Sequence, residues 1–142
     1  MSRDDAEAIK DYLRGYERAL RQQKRLEEEL EAVRAERILP GITADGMPHG
    51  SRKRNDLAEH MVRLEKAESD LMEAIVKRRE TREEIVNTIE KLSSENQKDV
   101  LKHRYIDLMS WNVICNTMHY SWKQIHRIHN DALRNMTQKG TQ

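Results

Sequence analysis

Two long runs of this sequence repeat inward-type side chains at alternating spacings of three and four, and one stretch rich in glycine and proline separates them. Ile9, Tyr12, Tyr16, Ala19, Gln23, Leu26, Leu30 and Val33 mark the first run, and Leu13 and Leu20 widen it. Leu57, Met61, Leu64, Glu68, Leu71, Ile75, Arg78, Arg82, Ile85, Ile89 and Leu92 mark the second. Such alternation keeps one side of an α-helix turned toward a partner helix. The first helix is expected over Asp4–Ile38, ending at Leu39-Pro40-Gly41, because a residue before proline is pushed out of the α region. The second is expected over Asn55–Leu92. Pro40–Gly50 carries both prolines and three of the five glycines, so it reads as the linker. Charged residues make up 36% of the 142 and aromatics only 4%, too polar for a thick globular core but suited to long helices.

An antiparallel hairpin is therefore expected over residues 1–92, with its linker at 39–51. Its outer faces carry charge runs such as Glu27-Glu28-Glu29, which read as solvated helix surface. Arg52-Lys53-Arg54 fits a solvated helix start, with phosphate contact as the alternative. Val62, Met72, Val76 and Val86 form a second, partial apolar stripe. A hairpin alone buries little, so it is expected to form a homodimer in a four-helix arrangement or to pack on another protein.

After the break at Leu92–Gln97, Ser94 and Gln97 stand at capping-box spacing, and a helix should follow to about Ile106. Ser110 can cap a short helix whose inward side is Trp111, Ile114, Cys115 and Met118. His119-Tyr120 is the turn, with His119 at the position that commonly needs positive φ. Ser121 and Gln124 make a second box, and Ile125, Ile128, Ala132, Leu133 and Met136 share the buried side of the next helix. Its outward side presents Trp122, Lys123, His126, Arg127 and Asn130. Arg and Lys suit guanine and phosphate, and Asn suits adenine. The fold class is thus all-α, with a long coiled-coil-like hairpin followed by a helix-turn-helix over 93–137 and a disordered tail at 138–142. From Gln97 onward seven basic side chains face three acidic ones, with four of the six histidines, which puts a modest positive field on this end.

The stretch 103–136 resembles the fourth region of bacterial sigma factors, the helix-turn-helix that reads the promoter −35 element. The matching residues are Arg104-Tyr105, Ser110-Trp111, Ile114, Tyr120-Ser121, Ile125, Arg127-Ile128-His129 and Ala132-Leu133. Cys115 stands where that pattern has Ala, and His119 where it has Gly. The layout is also similar to the small sigma-like proteins of phages and prophages of Gram-positive bacteria, a group that includes late-gene activators. The resemblance implies a double-stranded DNA target at a promoter and a contact with host RNA polymerase. The sigma regions that melt promoter DNA have no counterpart here.

The expected function is sequence-specific transcriptional regulation for a phage or mobile element. Trp122, Lys123, His126, Arg127 and Asn130 are the expected readers, and Ser121, Lys102 and Arg104 the expected phosphate holders. A phage small terminase-like packaging subunit, or a helical protein that sequesters a partner, are the alternatives. No glycine loop of a nucleotide enzyme is present, so neither an enzyme nor a cofactor is expected. Cys115, His119, His126 and His129 diverge on the expected helices, so no metal site is expected. With one cysteine, no signal peptide and no membrane-length apolar run, a cytoplasmic location in a bacterial host is expected.

Overall fold

The computed structural model describes residues 2–36 and 50–139, with side chains over 2–36 and 55–137. Among the described residues the chain is all-helical, with α1 Arg3–Leu13, α2 Gly15–Ala35, α3 Gly50–Glu90, α4 Glu95–Tyr105, α5 Trp111–Met118 and α6 Trp122–Lys139. Most of the expected linker, and the tail beyond Lys139, lie outside the described residues, as do the side chains of Arg52-Lys53-Arg54. Helix α6 runs two residues into the segment expected to be disordered. No described helix is long and apolar enough to cross a membrane.

The single helix expected over Asp4–Ile38 is two helices. It breaks at Arg14, whose φ is −73° and ψ −3°. Gly15 follows, and glycine costs about 1 kcal/mol relative to alanine inside a helix. At the break Arg18 reaches back about two turns: Nη2 donates to the Asp11 carbonyl (2.8 Å) and Nη1 to its carboxylate (3.0 Å). Ser2 begins α1 with a reciprocal capping box to Asp5.

The chain divides into two compact units, residues 1–20 with 78–142, and residues 21–77. In the second unit, Arg34 meets Glu68 at 3.8 Å and Glu36 meets Arg63 at 2.6 Å. Partners that rise along one helix as they fall along the other define antiparallel packing. Leu26 and Leu30 are buried there, and Ala74 is buried from α3.

Helix α3 keeps part of the expected seam inward: Leu64, Leu71, Ile75, Arg78, Ile85 and Ile89, with Leu92 just beyond its end, are buried or partly withdrawn from solvent. Glu68 and Arg82 are exposed, and so are Leu57 and Met61. Ala67, Ala74, Thr81 and Thr88, each one residue earlier than an expected seam position, are withdrawn from solvent as well. Of the second expected stripe, Val62, Met72 and Val76 stay exposed. Turning Ala67 and Thr81 inward avoids burying Glu68 and Arg82, which would cost several kcal/mol per unpaired charge.

In the first unit α1, α4 and α6 share one core. Leu13, Tyr16, Ile85, Ile89 and Leu92 pack with Leu101, Tyr105, Ala132, Leu133 and Met136. Continuous packing therefore crosses the boundary drawn at residue 92. A smaller cluster of Val100, Ile114 and Ile125 seats α5 against α4 and α6, with Trp111, Met118 and Ile128 around it.

Candidate nucleic-acid interface

Local chemistry sets the two ends of α5 and the start of α6. The Ser110 hydroxyl accepts from the Val113 amide at 3.3 Å. His119 lies in the left-handed region, φ 59° and ψ 40°, and its amide donates to the Cys115 carbonyl. Histidine is among the residues enriched there, and the expected turn is the one observed. Ser121 and Gln124 form a complete capping box: Gln124 N–H donates to Ser121 Oγ (3.2 Å), and Ser121 N–H to Gln124 Oε1 (2.9 Å). The Ser94 box is only half made. Gln97 N–H donates to Ser94 Oγ, but the Gln97 side chain turns away and accepts from Asn135 Nδ2 at 2.8 Å. That exchange ties α4 to α6.

A second non-glycine residue with positive φ, Leu108 at 56°, shapes the α4–α5 connection. Nothing in the sequence marks it, since leucine has no preference for that region. The residue after it is held twice: Met109 N–H donates to the His103 carbonyl (2.9 Å) and Arg104 Nη1 to the Met109 carbonyl (3.0 Å).

The predicted site residues separate into two groups. Trp122, Lys123, Arg127 and Asn130 are exposed on α6. With His126, Asp131 and Arg134 they line an open groove of about 500 Å3 along that helix. Arg134 reaches Asp131 at 3.7 Å, and that pair was not anticipated. Lys123 and Arg127 have no intramolecular partner among the described residues, so their charges stay available. Ser121 is exposed beside them; its oxygen already accepts from Gln124, which leaves its own O–H free to donate.

His126, Lys102 and Arg104 are placed otherwise than expected. His126 is half-buried between two indoles, with ring centroids 4.5 Å from Trp111 and 4.3 Å from Trp122. Its Nε2 is sealed from solvent and has no hydrogen-bond partner. Burial, with smaller contributions from Arg104 and Lys10, pushes its pKa below the usual histidine value. The residue still contributes to the groove lining, though partly withdrawn from solvent. Lys102 is ion-paired with Glu90, which also takes Lys98 at 3.5 Å. Arg104 lies over the Trp111 ring at 4.6 Å, besides its bond to Met109. Both cations thus hold α4 to its neighbours.

Trp111 is the residue whose importance sequence reasoning understated. Read as one of several inward side chains of α5, it touches Arg104, Trp122, His126 and His129. The repeated Ser-Trp dipeptide was the available signal. The arrangement is an aromatic cluster beneath a groove that bears Lys123 and Arg127, a surface whose cations can meet an anionic ligand. Among the described residues no group of three or more His, Cys, Asp or Glu side chains could hold a metal ion.

Residues 39–137 match the family model described as a protein of unknown function, DUF1492. No curated protein and no solved structure matches the chain.

Proposed function

This chain belongs to the DUF1492 family, and we propose that it is a sequence-specific DNA-binding transcriptional regulator of a phage or mobile element. In this proposal α5, the His119 turn and α6 form a helix-turn-helix, and α6 enters the major groove of promoter DNA. A B-form major groove, about 12 Å wide, admits one helix. One observation carries it: the outer side of α6 keeps Lys123 and Arg127 unpaired beside Asn130, on a helix capped and seated by its buried side. Lys123, Arg127 and Asn130 read base edges and phosphate, and the Ser121 hydroxyl donates to phosphate. Lys102 and Arg104 contribute field more than contact, because each is already engaged. The resemblance to sigma region four makes host RNA polymerase the further partner.

A homodimer is part of the same proposal. Leu57, Met61, Val62, Met72 and Val76 of α3 stand exposed, each about half or more open to solvent. A second copy of this stripe is the partner that would cover it.

Gel-shift titration against duplexes from the neighbouring genomic DNA tests the reading. The Lys123→Ala, Arg127→Ala double variant should lose about 1–3 kcal/mol for each base-reading contact. Unchanged affinity at physiological salt would exclude α6 as the reader. Mass in solution separates the regulator, a dimer, from a ring-forming packaging subunit of eight or more copies.

A further inference from the structure

We propose that the Trp122 indole is a thymine-specific reader, an apolar plate that receives the 5-methyl group of one thymine in the major groove. The inference rests on the DNA-binding proposal and adds to it which base α6 selects at its leading end.

Four observations lead there. Trp122 is the first residue of α6, and residues near the start of such a helix reach the base edges. Its side is open: 54% of the residue is exposed, in a chain that buries its other aromatic side chains or holds them half-buried. It does not swing freely, because His126 lies against it at 4.3 Å and Trp111 meets it edge-on at 6.5 Å. Finally, its neighbours along the groove are Lys123, Arg127 and Asn130.

A fixed apolar surface framed by cations calls for an apolar group carried on a polyanion. Of the four bases only thymine presents one in the major groove, its 5-methyl; the others show hydrogen-bond donors and acceptors alone. The indole face has neither donor nor acceptor to offer those edges. A bare cation groove would bind any sequence, and Asn130 would favour adenine. Trp122 supplies the apolar term, and His126, through its tilted ring contact, is a positioning residue for it.

The test uses the full-length protein and its best duplex from selection on randomised double-stranded DNA. Each thymine is replaced in turn by deoxyuridine, which removes the methyl group and keeps the base pair. At one or two positions the affinity of the unaltered protein should fall roughly fourfold, the value of one buried methyl. Trp122→Ala should bind the thymine and deoxyuridine duplexes alike, while Lys123→Ala should keep the difference between them. A deoxyuridine scan of the unaltered protein with no sensitive position overturns the inference, and needs no variant that must fold. So does a Trp122→Ala protein that retains the full difference. If selection recovers no duplex at all, the DNA-binding proposal itself fails, a result distinct from the other two.

Discussion

Tyr105 and His129, 24 residues apart in sequence, share a 2.8 Å hydrogen bond inside the core, with the rings stacked at 5.8 Å. The Tyr105 hydroxyl keeps its proton, because burial raises its pKa. His129 is only 3% exposed. The bond joins α4 to α6 behind the groove. Tyr105→Phe should therefore destabilise the protein by about 1–3 kcal/mol, since it leaves a buried ring nitrogen without its partner. Urea denaturation followed by circular dichroism measures it, and an unchanged midpoint would show that the bond contributes nothing.

Acid should weaken the same region. Burial, assisted by Lys10, His126 and Arg104 and opposed by a hydrogen bond with Asn130, lowers the His129 pKa to about 4 from 6.5. The unfolded chain then binds more protons than the folded one between those values, so stability rises with pH across that window. It is fully present above pH 6.5 and falls as pH drops toward 4, by about 3 kcal/mol for His129 alone. His126, also depressed, acts in the same direction. His129→Gln should flatten this part of the profile of melting temperature against pH. A profile as steep as that of the unaltered protein would assign the acid sensitivity elsewhere.

At the turn, His119 holds a left-handed backbone that costs an L-residue roughly 1–2 kcal/mol. His119→Gly relieves that strain but adds freedom to the unfolded chain. The net expectation is a gain of up to about 1 kcal/mol, seen as a higher melting temperature. His119→Val should lose stability, because a β-branched side chain is ill-suited to positive φ.

Ser121→Ala removes one half of the capping box at the start of α6 and should cost about 1 kcal/mol. Amide hydrogen exchange should quicken most at Gln124, whose N–H the serine oxygen accepts. Equal exchange in both proteins would mean that water replaces the cap without loss.

Met72 stands 63% exposed on α3. Met72→Glu should leave the fold intact, since it removes no buried contact, and should shift a dimer to monomer in analytical ultracentrifugation. A dimer that survives the charge would place the interface elsewhere.

The local features of this protein were written in its sequence. The caps at Ser110 and Ser121, the turn at His119 and the inward side of α6 each depend on residues within four positions of one another. Short-range hydrogen bonds and steric limits decide them with no need of a distant partner. The exposed part of the candidate site was legible for the same reason: Trp122, Lys123, Arg127 and Asn130 follow from the helical period once the buried side is known. The interior of the site was not. His126 and His129 lie three apart on one helix, yet one is clasped between indoles and the other is sunk beside Tyr105. Lys102 and Arg104 look like free cations until Glu90 and Trp111 are brought to them. On α3 the period marks Leu57, Met61, Glu68 and Arg82 as inward along with Ile85 and Ile89, yet only the latter two of these are buried. Only the packed partner chooses, because burying a line costs or gains free energy according to what lies opposite it. Tertiary structure likewise decided that α1 shares its core with α6, a contact between ends of the chain that no local pattern encodes.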